Sequence, residues 1–247
     1  MKKAQYQQRG PRPQEFIDAV DFEIAPLLSG QVLIQVLAAP INPSDVLTLT
    51  GQYGQLPPLP AVGGNEGVGK ILQLGPDVQT PAVGQTVLLP VGSGTWSSHI
   101  VAEAKRLMPL PNEADPQQLA MMTVNPPTAS LMLSEFVDLA PGEWVIQNAA
   151  NSGVGAYLIQ LAKIRGLKTV NIVRRETAVA GVQALGGDVV LVEGNGGLAK
   201  RVAEATGGAA IRLGIDAVGG KSTDYLATCL AHPPRLCFAT LPYVDSG

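Results

Sequence analysis

Asn148–Arg175, NAANSGVGAYLIQLAKIRGLKTVNIVRR, constrains this chain more than any other stretch. Before it, Trp144–Gln147 is a short apolar run after the turn-forming pair Pro141-Gly142, as a buried parallel strand requires. Ala150 to Gly155 then turns with no bulky side chain, so backbone N–H groups can approach a pyrophosphate. In the helix that follows, Val154, Leu158, Leu161, Ala162 and Arg165 fall on one face, and all but Arg165 are apolar, which suits packing on a sheet. Free N–H groups and the macrodipole make the start of such a helix an anion site. Thr169–Val173 is the next strand and completes a βαβ unit. The turn departs from the dinucleotide pattern G-x-G-x-x-G, because Ala150 and Ser152 stand where its first two glycines belong. Context raises the match: a charged pair, Arg174-Arg175, closes the second strand at the expected distance of about 20 residues. An acidic residue there suits the ribose 2′-OH of NAD, whereas arginine suits a 2′-phosphate. The pair therefore reads as NADPH-binding, or else as two solvated arginines at a strand end.

From Trp144 onward strands alternate with helices. Strands are expected at Val189–Val192, Ile211–Val218 and Arg235–Thr240, and helices at Leu198–Thr206 and Lys221–Ala231. Leu198, Val202 and Ala205 share one face of the first of these helices. Such alternation implies a parallel sheet with right-handed crossovers. The first 110 residues differ. Short strand candidates, Val32–Ala38, Val68–Leu74, Thr86–Leu89 and His99–Ala102, are cut by Gly and Pro at the spacing of a compact β-barrel. Asp115 to Phe136 reads as partly helical, with Asp115 the N-cap before Pro116.

Composition excludes several classes. Hydrophobic residues make up 46% and charged residues 15%, as in a well-buried α/β protein. A net charge of −3 speaks against nucleic acid as partner. No apolar run approaches the ~20 residues of a membrane span. MKKAQYQQRGPRPQEF lacks the apolar core of a secretory signal, so a cytoplasmic location is expected. Cys229 and Cys237 read as reduced core thiols, too few for a four-thiolate zinc site.

Several stretches together resemble the zinc-independent 2-enoyl thioester reductases, of the mitochondrial enoyl-CoA/ACP reductase type, within the medium-chain dehydrogenase/reductase superfamily. They are Ile41–Asp45, Gly51-Gln52-Tyr53-Gly54, Pro60–Val68, Gly94-Thr95-Trp96, Asn125–Ala129, Gln147–Gly155 and Val218–Ser222. The resemblance implies a GroES-like β-barrel domain over 1–118 and an NADPH-binding Rossmann domain, a doubly wound parallel sheet, over 119–247. It also implies reduction of the C2=C3 bond of trans-2-enoyl thioesters of CoA or acyl carrier protein, in a homodimer. Tyr53 takes the catalytic role: a phenol can donate to the enolate oxygen as charge develops there. From the residues alone it reads equally as a tyrosine at a Gly-flanked loop tip. Cofactor contacts carry over onto Asn125 and Thr128 beside the nicotinamide, or the NPPT segment is simply a helix-breaking turn. They carry over also onto Asn151, Ser152, Gly153, Val154 and Gly155 at the phosphates, and Arg174, Arg175 and Glu176 at the adenosine ribose. Trp96 packs in the barrel or lines the acyl cleft, packing being the commoner role.

No metal is expected. The alcohol-dehydrogenase branch has a cysteine in the Ile41–Asp45 loop and a histidine before the glutamate of the Gly64–Gly67 loop; this chain has Asn42, Pro43, Ser44 and Asn65 there. Phe238–Leu241 reads FATL where the family has a Tyr-Gly-Gly-Met loop. Family members also continue for about 80 residues beyond this point, as such two-domain folds do. The chain is accordingly expected to be truncated, without the last strand and return segment, and poorly active. Two other readings stand beside the reductase: a zinc-independent NADPH:quinone oxidoreductase, and an inactive truncated remnant.

Overall fold

The computed structural model describes residues 1–194 and 196–238. The chain divides into two units, Met1–Val124 and Asn125–Gly247.

In the first unit, β1 (Lys2–Tyr6) lies between β2 (Ile17–Asp21) and β4 (Ala61–Val62) in a three-stranded antiparallel sheet. The larger sheet has five antiparallel strands in the order β7-β3-β5-β6-β8. These are β3 (Gln31–Ala38), β5 (Val68–Leu74), β6 (Thr86–Leu88), β7 (His99–Glu103) and β8 (Met108–Leu110). The expected barrel is thus two sheets, linked by a bridge between Lys3 and Ser97. Alternation along β3 puts Val32 and Ile34 fully inside with Ile71, Val87, Leu89 and Ile100. Each such side chain contributes about 1.5–3 kcal/mol by leaving water. Gly69 opposes β3 so closely that a Cβ would sit 2.6 Å from the Gln35 carbonyl, so no other residue fits.

The Ile41–Asp45 stretch, read above as a loop, opens helix α1 (Pro43–Thr50). Asn42 is its N-cap, Pro43 occupies the first turn, and Asp45 completes a capping box. Gly51 ends it in the left-handed region at φ 84°. Those signals were present in the sequence and outweigh its shortness. After β8, Asp115 caps α2 (Pro116–Leu119) as expected, accepting from the Gln117 N–H at 2.9 Å.

The second unit opens with α3 (Asn125–Ser134), so NPPT starts a helix and does not break one. Both prolines sit in the first turn, where their missing N–H costs nothing. Then come β9 (Trp144–Gln147), α4 (Gly153–Ile164), β10 (Lys168–Val173), α5 (Val179–Ala184), β11 (Val189–Val192), α6 (Leu198–Thr206), β12 (Leu213–Asp216), α7 (Lys221–Ala227) and β13 (Arg235–Phe238). The sheet is parallel, in the order β11-β10-β9-β12-β13, so the winding reverses at β9. Ligands of open α/β sheets bind outside the carboxyl ends of the strands at such a reversal.

Several details differ from the sequence reading. The buried face of α4 is Gly155, Leu158, Ile159 and Ala162, with Val154 and Leu161 half-buried at its margin. On α6, Val202 is buried but Ala205 is exposed. The strand expected at Ile211–Val218 is only Leu213–Asp216, because Asp216 turns inward to cap the chain that follows it. Helix α7 ends four residues early, and α5, with Val182 its one buried side chain, has too little apolar pattern to be read. Positions 239–241 of FATL lie outside the described residues. Cys229 is half-buried and Cys237 buried; both are free thiols, raised by burial. No helix of the described residues is long and apolar enough to cross a membrane.

Candidate functional site

At the carboxyl end of β9 the chain turns on Asn148. Its amide is buried and donates to Asp216 Oδ1 at 2.6 Å and to Ser222 Oγ at 3.1 Å, while its Oδ1 accepts from the Ala217 N–H at 2.6 Å. The next residue, Ala149, holds φ at +44°, a left-handed conformation that a Cβ makes costly. Burial alone raises the pKa of Asp216. Donation from Thr223 Oγ1, the Gly219 N–H, Asn148 and the Val218 N–H outweighs it and leaves the carboxyl below its ordinary value. A fixed negative charge therefore pins the ends of β9 and β12 together.

Ser152 ends the turn as the N-cap of α4, accepting from the Gly155 N–H at 3.1 Å. The Ala156 N–H goes to Ser152 O, which leaves the Gly153 and Val154 amides as the helix N–H groups without a partner among the described residues. A Cβ on Gly155 would meet Ala150 O at 2.6 Å, so this glycine is required for the turn to sit against the helix. A Cβ on Gly153 would meet Asn125 Nδ2 at 2.9 Å, which places Asn125 against the turn, with Thr128 further along α3. Arg174, Arg175 and Glu176 follow β10 directly, and all three are exposed. Of the residues singled out from sequence, the ten expected at the cofactor thus lie on the turn, on α3, or at the end of β10. The chemistry on offer is two free amides for a pyrophosphate and two guanidinium groups for a further phosphate.

In the first unit, Tyr53 follows the C-terminus of α1 and is 38% exposed. It lines a cleft of about 540 Å³ with Tyr6, Thr48, Leu49, Leu56 and Pro57. Trp96 packs against Gly63 and Gly64 and donates Nε1 to Pro40 O at 3.0 Å, the packing role expected for it.

Beside the cleft lie two buried carboxylates that the sequence reading assigned no role. Asp45 accepts from the Asn42 N–H at 2.7 Å, the Asn65 N–H at 3.1 Å and Asn65 Nδ2 at 2.7 Å. Glu66 accepts from Asn42 Nδ2 at 2.8 Å and from the N–H groups of Thr123 and Val124 at 3.1 and 3.0 Å. Burial pushes both above the ordinary carboxylate range, these bonds offset it only in part, and the charge of Asp45 adds to the rise at Glu66. The legible signal was Asn42 and Asn65 flanking two acids on successive loops. Among the described residues no three His, Cys, Asp or Glu side chains come together as a metal site.

Comparison with known proteins places this geometry. Residues 28–112 match the family model for the alcohol dehydrogenase GroES-like domain, and residues 153–245 the model named zinc-binding dehydrogenase. The mitochondrial enoyl-[acyl-carrier-protein] reductase of Caenorhabditis elegans is 42% identical over 207 residues, covering 82% of this chain and 59% of that protein. The chain thus spans about three-fifths of the length of the curated relatives it matches. Among solved structures, the Etr1p complex with NADP and crotonyl-CoA has TM-score 0.85 at 28% identity, covering 95% of this chain and 73% of that one. A Bacillus thuringiensis protein assigned as an NADPH:quinone reductase has TM-score 0.85 at 29% identity, covering 96% and 71%. The cytoplasmic location expected from the N-terminal residues is overturned, because the curated relatives are mitochondrial enzymes. The lack of an apolar secretory core carried no information about a compartment reached by another route.

Proposed function

The chain belongs to the medium-chain dehydrogenase/reductase family, and from that premise we propose that it reduces the C2=C3 bond of trans-2-enoyl thioesters with NADPH and without zinc. The observation that carries the reading is Tyr53, a phenol at the wall of a cleft in the first unit. The name of the curated relatives supports it, as does the crotonyl-CoA held by Etr1p.

Zinc does not fit the donors here. The oxygens of Asp45 and Glu66 already accept N–H groups, and amide side chains of Asn42 and Asn65 stand beside them in place of thiolate or imidazole. NADPH does fit its site. Asn151 and the Gly153 and Val154 amides would hold the pyrophosphate, Arg174 and Arg175 the 2′-phosphate, Glu176 the neighbouring ribose, and Asn125 and Thr128 the nicotinamide. When bound, the cofactor supplies the hydride. Tyr53 donates its phenolic proton toward the thioester oxygen as negative charge builds there, which is the work a Lewis acid does in a metal-dependent relative. The acyl thioester of CoA or acyl carrier protein is the partner this reading requires, and a homodimer is part of the same proposal.

The test is NADPH oxidation with crotonyl-CoA, beside NADH and a simple quinone. Thioester turnover that prefers NADPH, and that falls by about 10²-fold in Tyr53→Phe, supports the reading. Inert thioester with reduced quinone favours the second reading, a quinone oxidoreductase. The equal likeness to the Bacillus thuringiensis structure keeps that reading alive.

A further inference from the structure

The segment that carries Tyr53 is tied to the first unit at its two ends and hardly between them. At its start, the N–H groups of Gln52 and Tyr53 reach Leu47 O at 2.9 and 3.2 Å. Residues 54–60 then run exposed and without regular structure. Among the described residues, one hydrogen bond joins them to the rest of the molecule: Arg9 Nη2 donates to Pro57 O.

Arg9 is itself held on several sides. Its guanidinium lies 5.8 Å from the centre of the Tyr6 ring. The next residue, Gly10, donates its N–H to Leu49 O at 3.3 Å. The Arg9 stem packs beside Gly51, whose φ of +84° and lack of Cβ leave room for it. Among the described residues Arg9 joins no ion pair, and its Nε is buried without a hydrogen-bond partner. A half-buried cation with no carboxylate beside it is costly, so charge pairing does not account for it. Its two ends do. It rests on Tyr6 and grips Pro57, and both line the cleft that Tyr53 lines. Arginine suits this better than lysine, because its planar face stacks on a ring while its edge still donates.

We propose that Arg9 is a positioning residue for Tyr53: it clasps segment 54–60 across the mouth of the cleft and so fixes where the phenol stands. The proposal rests on the role given to Tyr53 above. If the clasp opens, the phenol moves, and displacements near 1 Å can cost about 10²-fold in rate.

The experiment compares wild type, Arg9→Ala and Arg9→Lys by chymotryptic cleavage after Tyr53, by thermal melting, and by kinetics with crotonyl-CoA and NADPH. The expected result is cleavage faster by about tenfold in Arg9→Ala at little change in melting temperature, as local opening without global unfolding gives. With it, kcat/KM for crotonyl-CoA falls by about 10–100-fold, KM for NADPH is unchanged, and Arg9→Lys recovers part of the loss. In a Tyr53→Phe background Arg9→Ala should add little, since the two act as one unit. Unchanged cleavage, or an equal kinetic loss with and without the Tyr53 hydroxyl, overturns the proposal. Should wild type leave crotonyl-CoA untouched, the functional reading fails, and the cleavage rates alone still decide whether Arg9 clasps the segment.

Discussion

Among the described residues, the most deeply buried carboxylate of each unit sits where loops converge, and the two are in opposite electrostatic states. Glu66 in the first unit is raised above the ordinary range, whereas Asp216 in the second is lowered. Both are out of water, at 0% and 1% exposure, so burial does not separate them. Their donors and neighbours do. Asp216 gathers four donors, from Asn148, Val218, Gly219 and Thr223, with no other acid among its influences. Glu66 gathers three and also feels Asp45. One more N–H or O–H and one fewer negative charge turn a reluctant anion into a committed one. The second unit thus holds the turn after β9 with a carboxylate favoured as its anion, while the first ties its loops with carboxylates that burial raises.

Substitution should widen that contrast. Asp216→Asn removes an acceptor from four donors and should cost about 3 kcal/mol, read by urea unfolding, because buried donors are left without partners. Gly155→Ala should cost about 1–3 kcal/mol and weaken NADPH binding, read by cofactor fluorescence, since the new Cβ meets the Ala150 carbonyl. Glu66→Gln should cost less, about 1 kcal/mol, since burial and the charge of Asp45 already work against the Glu66 anion. An equal cost for the two carboxylate variants would break the comparison.

The pH dependence carries opposite signs. The folded pKa of Asp216 is lowered, so its stabilisation is present above the ordinary carboxylate value and is lost as pH falls through the lowered one. The folded pKa values of Glu66 and Asp45 are raised, so theirs is complete below the ordinary value and is lost as pH rises through the raised ones. Protection from hydrogen exchange around Asn148 should therefore fall once pH drops below the ordinary carboxylate value, while protection around Asn42 is kept. Glu66→Gln should flatten the response of the first unit only.

The sequence showed the second unit better than the first, for reasons visible in single residues. Parallel strands such as Trp144–Gln147 and Val189–Val192 are continuous apolar runs, and Ser152 to Gly155 marks the turn between strand and helix. The first unit hides the strands of its smaller sheet. Lys2–Tyr6 is largely polar and Ile17–Asp21 largely exposed, so periodicity cannot flag them, and Pro43 masked the start of a helix it was favouring. Candidate site residues stood out where their type suits a ligand, as Arg174 and Arg175 would suit a phosphate. Asp216, Glu66 and Arg9 act through partners 68, 24 and 48 residues away in the chain, a distance no local pattern spans.

The most direct test of metal-free reduction is the rate of crotonyl-CoA reduction by NADPH before and after exhaustive treatment with a chelator. An unchanged rate is predicted, because the acids beside the cleft are already engaged with N–H donors. A rate lost to the chelator and restored by zinc would contradict the account.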